Sequence, residues 1–167
     1  MTNVSSAPSA HAKKAKELFL GGYNCAQAVF AAFTDVTGFD AETSAKLASS
    51  FGGGMGRLRE VCGAFSGALM AAGLILGYSE PGNDEIKTEH YALVQKLAGK
   101  FKEKYGTIIC RELLKELGVD STPIPTKRDA KFYAERPCAA IVELAAQIVD
   151  DELEERKFKS AAADTNG

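Results

Sequence analysis

Hydrophobic and polar residues recur along most of the chain with the spacing of an α-helix. In the segment that begins at Cys25, apolar residues stand at Ala28, Val29, Ala32 and Phe33, three or four positions apart. This spacing places them on one face of a helix. Because no segment alternates residue by residue in the manner of a half-buried strand, the sequence predicts an all-α fold.

Glycine, proline and capping residues divide this pattern into about six or seven helices. Asn24 and Asp40 are good N-terminal caps, and Pro137 suits the first turn of a helix. The predicted helices span residues 11–20, 25–36, 41–51, 61–76, 84–105, 108–117 and 137–157. The segment 119–136 contains Pro123 and Pro125, and it is predicted to be a loop with one helical turn at 127–133.

A glycine-rich segment precedes the most apolar helix. The run from Gly52 to Gly56 reads GGGMG, and glycine at this density predicts a turn that another part of the molecule approaches closely. The apolar run that follows, residues 63–77, is shorter than the roughly 20 residues that a membrane span requires. We therefore expect a compact single-domain bundle with a glycine-rich turn before its central helix, and no membrane span.

Length and charge restrict the domain organisation and the partners. The 167 residues fit one domain, and we expect a flexible N-terminus at 1–10, a helical domain at 11–157 and a disordered tail at 158–167. The formal net charge of −2 and the lack of a clustered basic face argue against nucleic-acid binding. The N-terminus has no basic region followed by an apolar run, so we expect a cytoplasmic, reducing location.

Each of the four cysteines stands close to a predicted helix start; they are Cys25, Cys62, Cys110 and Cys138. A reducing location argues against a structural disulfide framework. The start of a helix presents unpaired N–H groups and partial positive charge, which favour a thiolate and lower the pKa of a cysteine. Arginines near the cysteines in sequence would strengthen this effect; they are Arg57, Arg59, Arg111 and Arg136.

The spacing of the cysteines excludes several common sites. The chain has no C-x-x-C pair, so a thioredoxin-like dithiol, a zinc ribbon and a covalent haem attachment are all absent. If the four cysteines act together, the tertiary fold must bring them into one pocket.

The string from Cys62 to Gly67 reads C-G-A-x-x-G. Together with Asn24-Cys25-Ala26, the glycine run before it and the single cysteines at 110 and 138, it resembles the redox-active protein family named for its C_GCAxxG_C_C cysteine pattern. The resemblance covers roughly residues 12–149. It implies a small helical, anaerobe-associated protein whose four cysteines are redox-active or bind a cofactor, and related domains joined to electron-transfer modules favour an iron–sulfur role.

Three functions follow as hypotheses. The first is an iron–sulfur cluster of open nuclearity, bound by Cys25, Cys62, Cys110 and Cys138, that exchanges electrons with a redox partner protein or a small-molecule carrier; zinc is a lesser alternative. The second is a thiol–disulfide oxidoreductase in which Cys62 attacks and Cys25 or Cys138 resolves. The third is a non-catalytic interaction module whose cysteines merely pack. No motif assigns a catalytic residue.

The remaining candidates are weaker. Gly63 and Gly67 lie four positions apart, and this face would admit a cofactor, a neighbouring helix or a second copy of the chain in a homodimer. His90 is a reserve ligand if one cysteine points away, and His11 is expected to be exposed. The acidic run at 150–155 is expected to be solvated and frayed.

Overall fold

A computed structural model of the protein describes residues 7–164, and the side chains as far as 161. The long helices are α1 (Ala10–Leu20), α2 (Cys25–Ala32), α4 (Ala41–Ala48), α6 (Gly63–Leu76), α7 (Asp84–Tyr105) and α10 (Cys138–Asp164). The short ones are α3 (Thr34–Thr37), α8 (Cys110–Leu113) and α9 (Ala130–Glu135), and the segment α5 (Gly52–Met55) is a turn in which Gly53 and Gly54 have left-handed backbone conformations. Residues 7–164 contain no β-strand beyond one isolated bridge, so the all-α prediction is confirmed.

The helix bounds agree with the sequence prediction except at three places. The second predicted helix, 25–36, breaks after Ala32, and its remainder forms the separate helix α3. The predicted helix 108–117 is only the four residues of α8 followed by a 3-10 turn. The last helix continues to Asp164, so the predicted disordered tail is helical over 158–164. Residues 165–167 of that tail, and residues 1–6 of the predicted flexible N-terminus, lie outside the described residues.

Helix α2 lies at the centre of the bundle. Six of its eight residues are buried, and it packs against α1, α4, α6 and α10. Most of its buried side chains are alanine, which lets the neighbouring helices approach closely. The largest buried side chains around it are aromatic and include Phe30, Phe33, Phe65 and Phe101.

The most apolar run of the sequence forms α6, as predicted. Gly67 of this helix faces α2, and a Cβ atom added to it would stand 2.6 Å from the carbonyl oxygen of Ala26. The glycine face is therefore occupied by another helix of the same chain, and the argument for a homodimer through this face does not hold. None of the helices within residues 7–164 is long and apolar enough to cross a membrane.

Candidate functional site: a cavity lined by four cysteines

All four cysteines lie at helix starts. Cys25, Cys110 and Cys138 are the first residues of α2, α8 and α10. Cys62 is the residue immediately before α6. The placement that was predicted from caps and glycines is thus confirmed at each position.

The four cysteines line one cavity of about 230 Å³, although they come from four separate segments. Cys62 and Cys110 are buried, Cys25 and Cys138 are half-buried, and all four are free thiols. Apolar side chains, among them Phe19 and Phe132, form part of the wall. The convergence into one pocket that a joint role of the four cysteines requires is therefore present.

A capping box fixes the position of Cys25. The Gln27 backbone N–H donates to the Asn24 side-chain oxygen at 2.9 Å, and the Asn24 N–H donates to the Gln27 side chain at 3.0 Å. These two bonds start α2 at Cys25. The Asn24 amide also donates to the carbonyl of Ser49 at 3.1 Å. Gly52 lies against this cap, because a Cβ atom there would stand 2.5 Å from Asn24 Cγ.

A short antiparallel pairing brings Cys62 and Cys110 together. The Cys62 N–H donates to the carbonyl of Ile108 at 2.8 Å, and the Cys110 N–H donates to the carbonyl of Glu60 at 2.6 Å. These backbone bonds join two segments about fifty residues apart in the chain, and they therefore place the two cysteines near each other. The sequence does not predict this pairing, because a single β-bridge is too short to produce an alternating pattern of hydrophobic and polar residues.

The glycine-rich turn passes directly over Cys110. Gly54 has a φ of +71°, and a Cβ atom there would stand 2.7 Å from the Cβ of Cys110 and 2.8 Å from the backbone nitrogen of Glu60. A side chain at this position would meet both backbone strain and a clash. The predicted close approach at this turn is confirmed, and the group that approaches is a cysteine of the cavity.

The same turn holds non-glycine residues in the left-handed region. Met55, Arg57 and Arg59 have φ values of 66°, 69° and 61°. Each such residue costs roughly 1–3 kcal/mol and persists only where its surroundings fix it. Two of the three are arginines that line the cavity, and one of them, Arg59, places its guanidinium beside the Cys110 sulfur.

Arg57 and Arg59 bind the loop that follows the 3-10 turn Lys115–Leu117. Arg57 donates to the carbonyl of Thr122 at 2.6 Å and to the Asp120 carboxylate at 2.8 Å. Arg59 donates through Nε to the carbonyl of Asp120 at 2.8 Å, and its Nη1 lies 3.9 Å from Cys110 Sγ. Hydrogen bonds from Thr122 and then from Arg57 lower the pKa of Asp120 to about 2.

The arginines of the cavity differ in one position from the prediction. Arg57, Arg59 and Arg136 line it, whereas Arg111 pairs with Glu60 and does not. Arg128 takes its place, donating to the carbonyls of Phe19 and Tyr23 at 3.2 and 3.1 Å and stacking 4.5 Å from the Phe19 ring. The only signal for Arg128 in the sequence is the aromatic pair that follows it, which forms part of the same cluster.

Burial raises the thiol pKa of three cysteines. The pKa of Cys62 is raised well above its ordinary value by burial and by Cys25, although the N–H groups of Phe65 and Ala64 act to lower it. Burial raises the pKa of Cys138 to about 12. For Cys110 burial outweighs the hydrogen bond from Arg59, which lowers the pKa. The prediction that helix starts depress these pKa values is therefore wrong: desolvation exceeds the helix effect.

The two histidines and the acidic run lie away from the cysteines. His90 packs against Tyr78 with ring centroids 5.7 Å apart and does not line the cavity. His11 is not exposed as predicted: its side chain is 18% exposed, with nitrogens 2.7 Å from Asp150 and 3.0 Å from Asp35. The predicted fraying at 150–155 is wrong because these residues are helical and paired, with Glu152 buried.

The four cysteines are spread around the cavity and are not arranged about one point. Among the residues that the structure describes, no three His, Cys, Asp or Glu side chains converge as ligands of one ion. A zinc ion requires sulfur atoms at about 2.3 Å from one point. The cysteines instead surround a space, and the described residues that line it include no carboxylate.

The fold and the cavity define a class of small all-helical proteins in which four dispersed cysteines meet at helix starts beside arginines. The family model described as "Putative redox-active protein (C_GCAxxG_C_C)" matches residues 23–152, and the chain belongs to this family. The match includes all four cysteines and the glycine-rich turn. A search of curated proteins found no match, and neither did a search of solved structures.

Proposed function

We propose that the protein binds an iron–sulfur cluster through Cys25, Cys62, Cys110 and Cys138, and that it exchanges electrons with a redox partner protein or a small-molecule carrier. The observation that carries this proposal is the meeting of four free thiols around one cavity. Four cysteine thiolates are the usual ligand set of [2Fe–2S] and [4Fe–4S] clusters. The membership in a redox-active family supports the same chemistry.

The spread of the cysteines favours a cluster over a single ion. In a cluster the thiolates bind different iron atoms, so they stand around a volume and not around a point. The cavity of about 230 Å³ is such a volume. This is the reason for preferring iron–sulfur to zinc.

The chain supplies positive potential to balance the charge of four thiolates. At the start of α6 the N–H groups of Ala64 and Phe65 act on the Cys62 sulfur, and Cys25 and Cys138 stand at the starts of α2 and α10, where partial positive charge stabilises an anion. Helix α8 has only four residues, so the support of Cys110 comes instead from Arg59. Hydrogen bonds and charge near the sulfurs set the reduction potential of a bound cluster, which would supply one-electron chemistry.

Anaerobic purification and reconstitution test this proposal. The expected result is a coloured protein with stoichiometric iron and sulfide, and loss of both in Cys62→Ser and Cys110→Ser. A protein that remains colourless and free of iron after anaerobic reconstitution would contradict it.

Thiol–disulfide exchange is the second candidate, because Cys25 lies close to Cys62. The sulfur of Cys25 contacts Gly63, the residue after Cys62, and Cys25 is the neighbouring group that raises the Cys62 pKa most. The high pKa of Cys62 leaves little thiolate for attack at neutral pH, which makes this candidate the weaker one. Thiol counts before and after mild oxidation test it: loss of two thiols in the parent and none in Cys25→Ser would favour it.

A further inference from the structure

Three arginines of the cavity have no carboxylate partner. Arg59, Arg128 and Arg136 make no ion pair with any described residue, and the only carboxylate bound to this group is Asp120, which pairs with Arg57. Arg57 and Arg136 both donate to one neutral acceptor, Thr126 Oγ1, at 3.0 and 3.5 Å. The two guanidinium groups carry like charges and repel each other at this distance, and an anion between or beside them would offset the repulsion.

Arg59, a residue of the cavity wall, carries a buried donor that has no partner among the described residues. The residue is 5% exposed and lines the cavity wall. Its Nε is bonded to Asp120 and its Nη1 lies near the Cys110 sulfur, but the buried Nη2 has no hydrogen-bond partner among the described residues. A buried charged donor without a partner is energetically costly, so such a group in a native protein indicates a bound ion or water.

We propose that this cavity is a binding site for a small divalent oxyanion, of the phosphate or sulfate type, held by Arg59 and Arg136 beside the cysteine sulfurs. Guanidinium groups bind such anions through charge-assisted hydrogen bonds. The Nη2 atom of Arg59 would donate to one oxygen, and Arg136, which stacks on Phe132 and makes only a long bond to Thr126, would donate to another. The site goes beyond the proposed function, because it requires the arginines and no cluster.

Calorimetric titration of the metal-free, reduced full-length protein tests the site. Sodium phosphate and sodium sulfate are the probes, and sodium chloride at equal ionic strength is the reference. We expect one oxyanion to bind per chain, and Arg59→Met to weaken its binding at least about tenfold. Arg111→Met is the matched control, since Arg111 pairs with Glu60 outside the cavity, and it should leave binding within about twofold.

Arg136→Met provides a second test if Arg59→Met does not fold, because Arg136 is less buried and its main contact is a ring-stacking one. Equal heats for phosphate, sulfate and chloride would overturn the proposal, as would parental affinity in both cavity variants. Cys62→Ser separates this site from the cluster: it should abolish iron binding and retain phosphate binding. Each proposal can thus fail while the other stands.

Discussion

The sulfur of Cys25 lies 2.6 Å from the point at which a Cβ atom on Gly63 would stand. The same Cβ would also be 2.6 Å from the carbonyl oxygen of Phe51. Gly63 is the first residue of α6 and follows Cys62 directly. Gly63 therefore permits the Cys25 sulfur, from α2, to lie against the backbone at the start of α6 that carries Cys62.

We predict from this contact that Gly63→Ala displaces Cys25 and lowers iron binding. Overpacking of this kind costs about 1–3 kcal/mol of stability, measured as the free energy of unfolding in urea. Gly73→Ala in the same helix is the control, because no atom lies within 4 Å of its added Cβ. It should be neutral or stabilise by roughly 0.5–1 kcal/mol, and equal behaviour of the two variants would show that the contact is unimportant.

Cys138 should react slowly with alkylating reagents in the folded metal-free protein. Its pKa is raised to about 12, so at pH 8 nearly all of it is the unreactive thiol. The pKa of Cys138 in the folded protein lies above that in the unfolded chain, so its thiolate fraction is small at neutral pH. The alkylation rate of Cys138 should therefore rise with pH up to about 12. Peptide mapping by mass spectrometry at pH 8 should give a rate at least about tenfold below that of the same cysteine in denaturant. Equal rates would mean that the thiol is not desolvated.

Asp120 should hold the loop at 118–129 in place through Arg57. Replacing it by asparagine removes the charge that pairs with Arg57 at 2.8 Å. We expect Asp120→Asn to speed amide hydrogen exchange in this loop several-fold. Glu116→Gln is the control, since Glu116 is exposed and only 3.8 Å from Lys115; its exchange should match the parent. Unchanged exchange in Asp120→Asn would leave the Arg59 bond to the loop backbone as the sufficient restraint.

A buried ion pair should contribute to stability at the far end of α10. Glu152 is 3% exposed, forms an ion pair with Lys96 at 2.6 Å and accepts a hydrogen bond from Arg156 at 2.9 Å. Although burial acts to raise the pKa of Glu152, the bonds from Lys96 and Arg156 lower it overall. Glu152 therefore stabilises the folded protein at pH values above the ordinary Glu pKa. This stabilisation is lost as the pH falls through the lower pKa that Glu152 has in the folded protein.

Lys96→Met should accordingly destabilise the protein by about 1–3 kcal/mol at pH 7. The exposed pair of Lys157 with Glu154 offers the comparison, and Lys157→Met should cost less than about 1 kcal/mol. Urea unfolding measures both. A smaller loss for Lys96→Met than for Lys157→Met would show that burial adds nothing to the pair.

The helix starts could be predicted from sequence because caps and breakers act locally. Asn24 caps α2 and Asp40 caps α4 through side-chain bonds to residues three positions on, so short windows of sequence contain the whole signal. The junction of Cys62 with Cys110 depends instead on two backbone bonds between distant segments. No local pattern encodes those bonds, and only the family resemblance suggested that the cysteines belong together.

The chemistry of the thiols was harder to predict than their position. A cysteine at a helix start is expected to have a low pKa, yet Cys62 and Cys138 have raised ones. The deciding quantity is desolvation, which depends on how the aromatic and aliphatic walls close over the sulfur. Arg128 illustrates the same limit, because it reaches the cavity across Phe19, more than one hundred positions earlier in the chain.

The pairing of residues 59–62 with 108–111 divides the cavity into two halves of unequal stiffness. Main-chain bonds hold Cys62 to Ile108 at 2.8 Å and Cys110 to Glu60 at 2.6 Å, so the spacing of the two cysteines does not depend on how the long helices sit. Cys25 and Cys138 lie on α2 and α10, whose relative position rests on side-chain packing with each other and with α1. A perturbation of that packing would open the cavity on one side only, leaving a preformed two-sulfur half-site on the other.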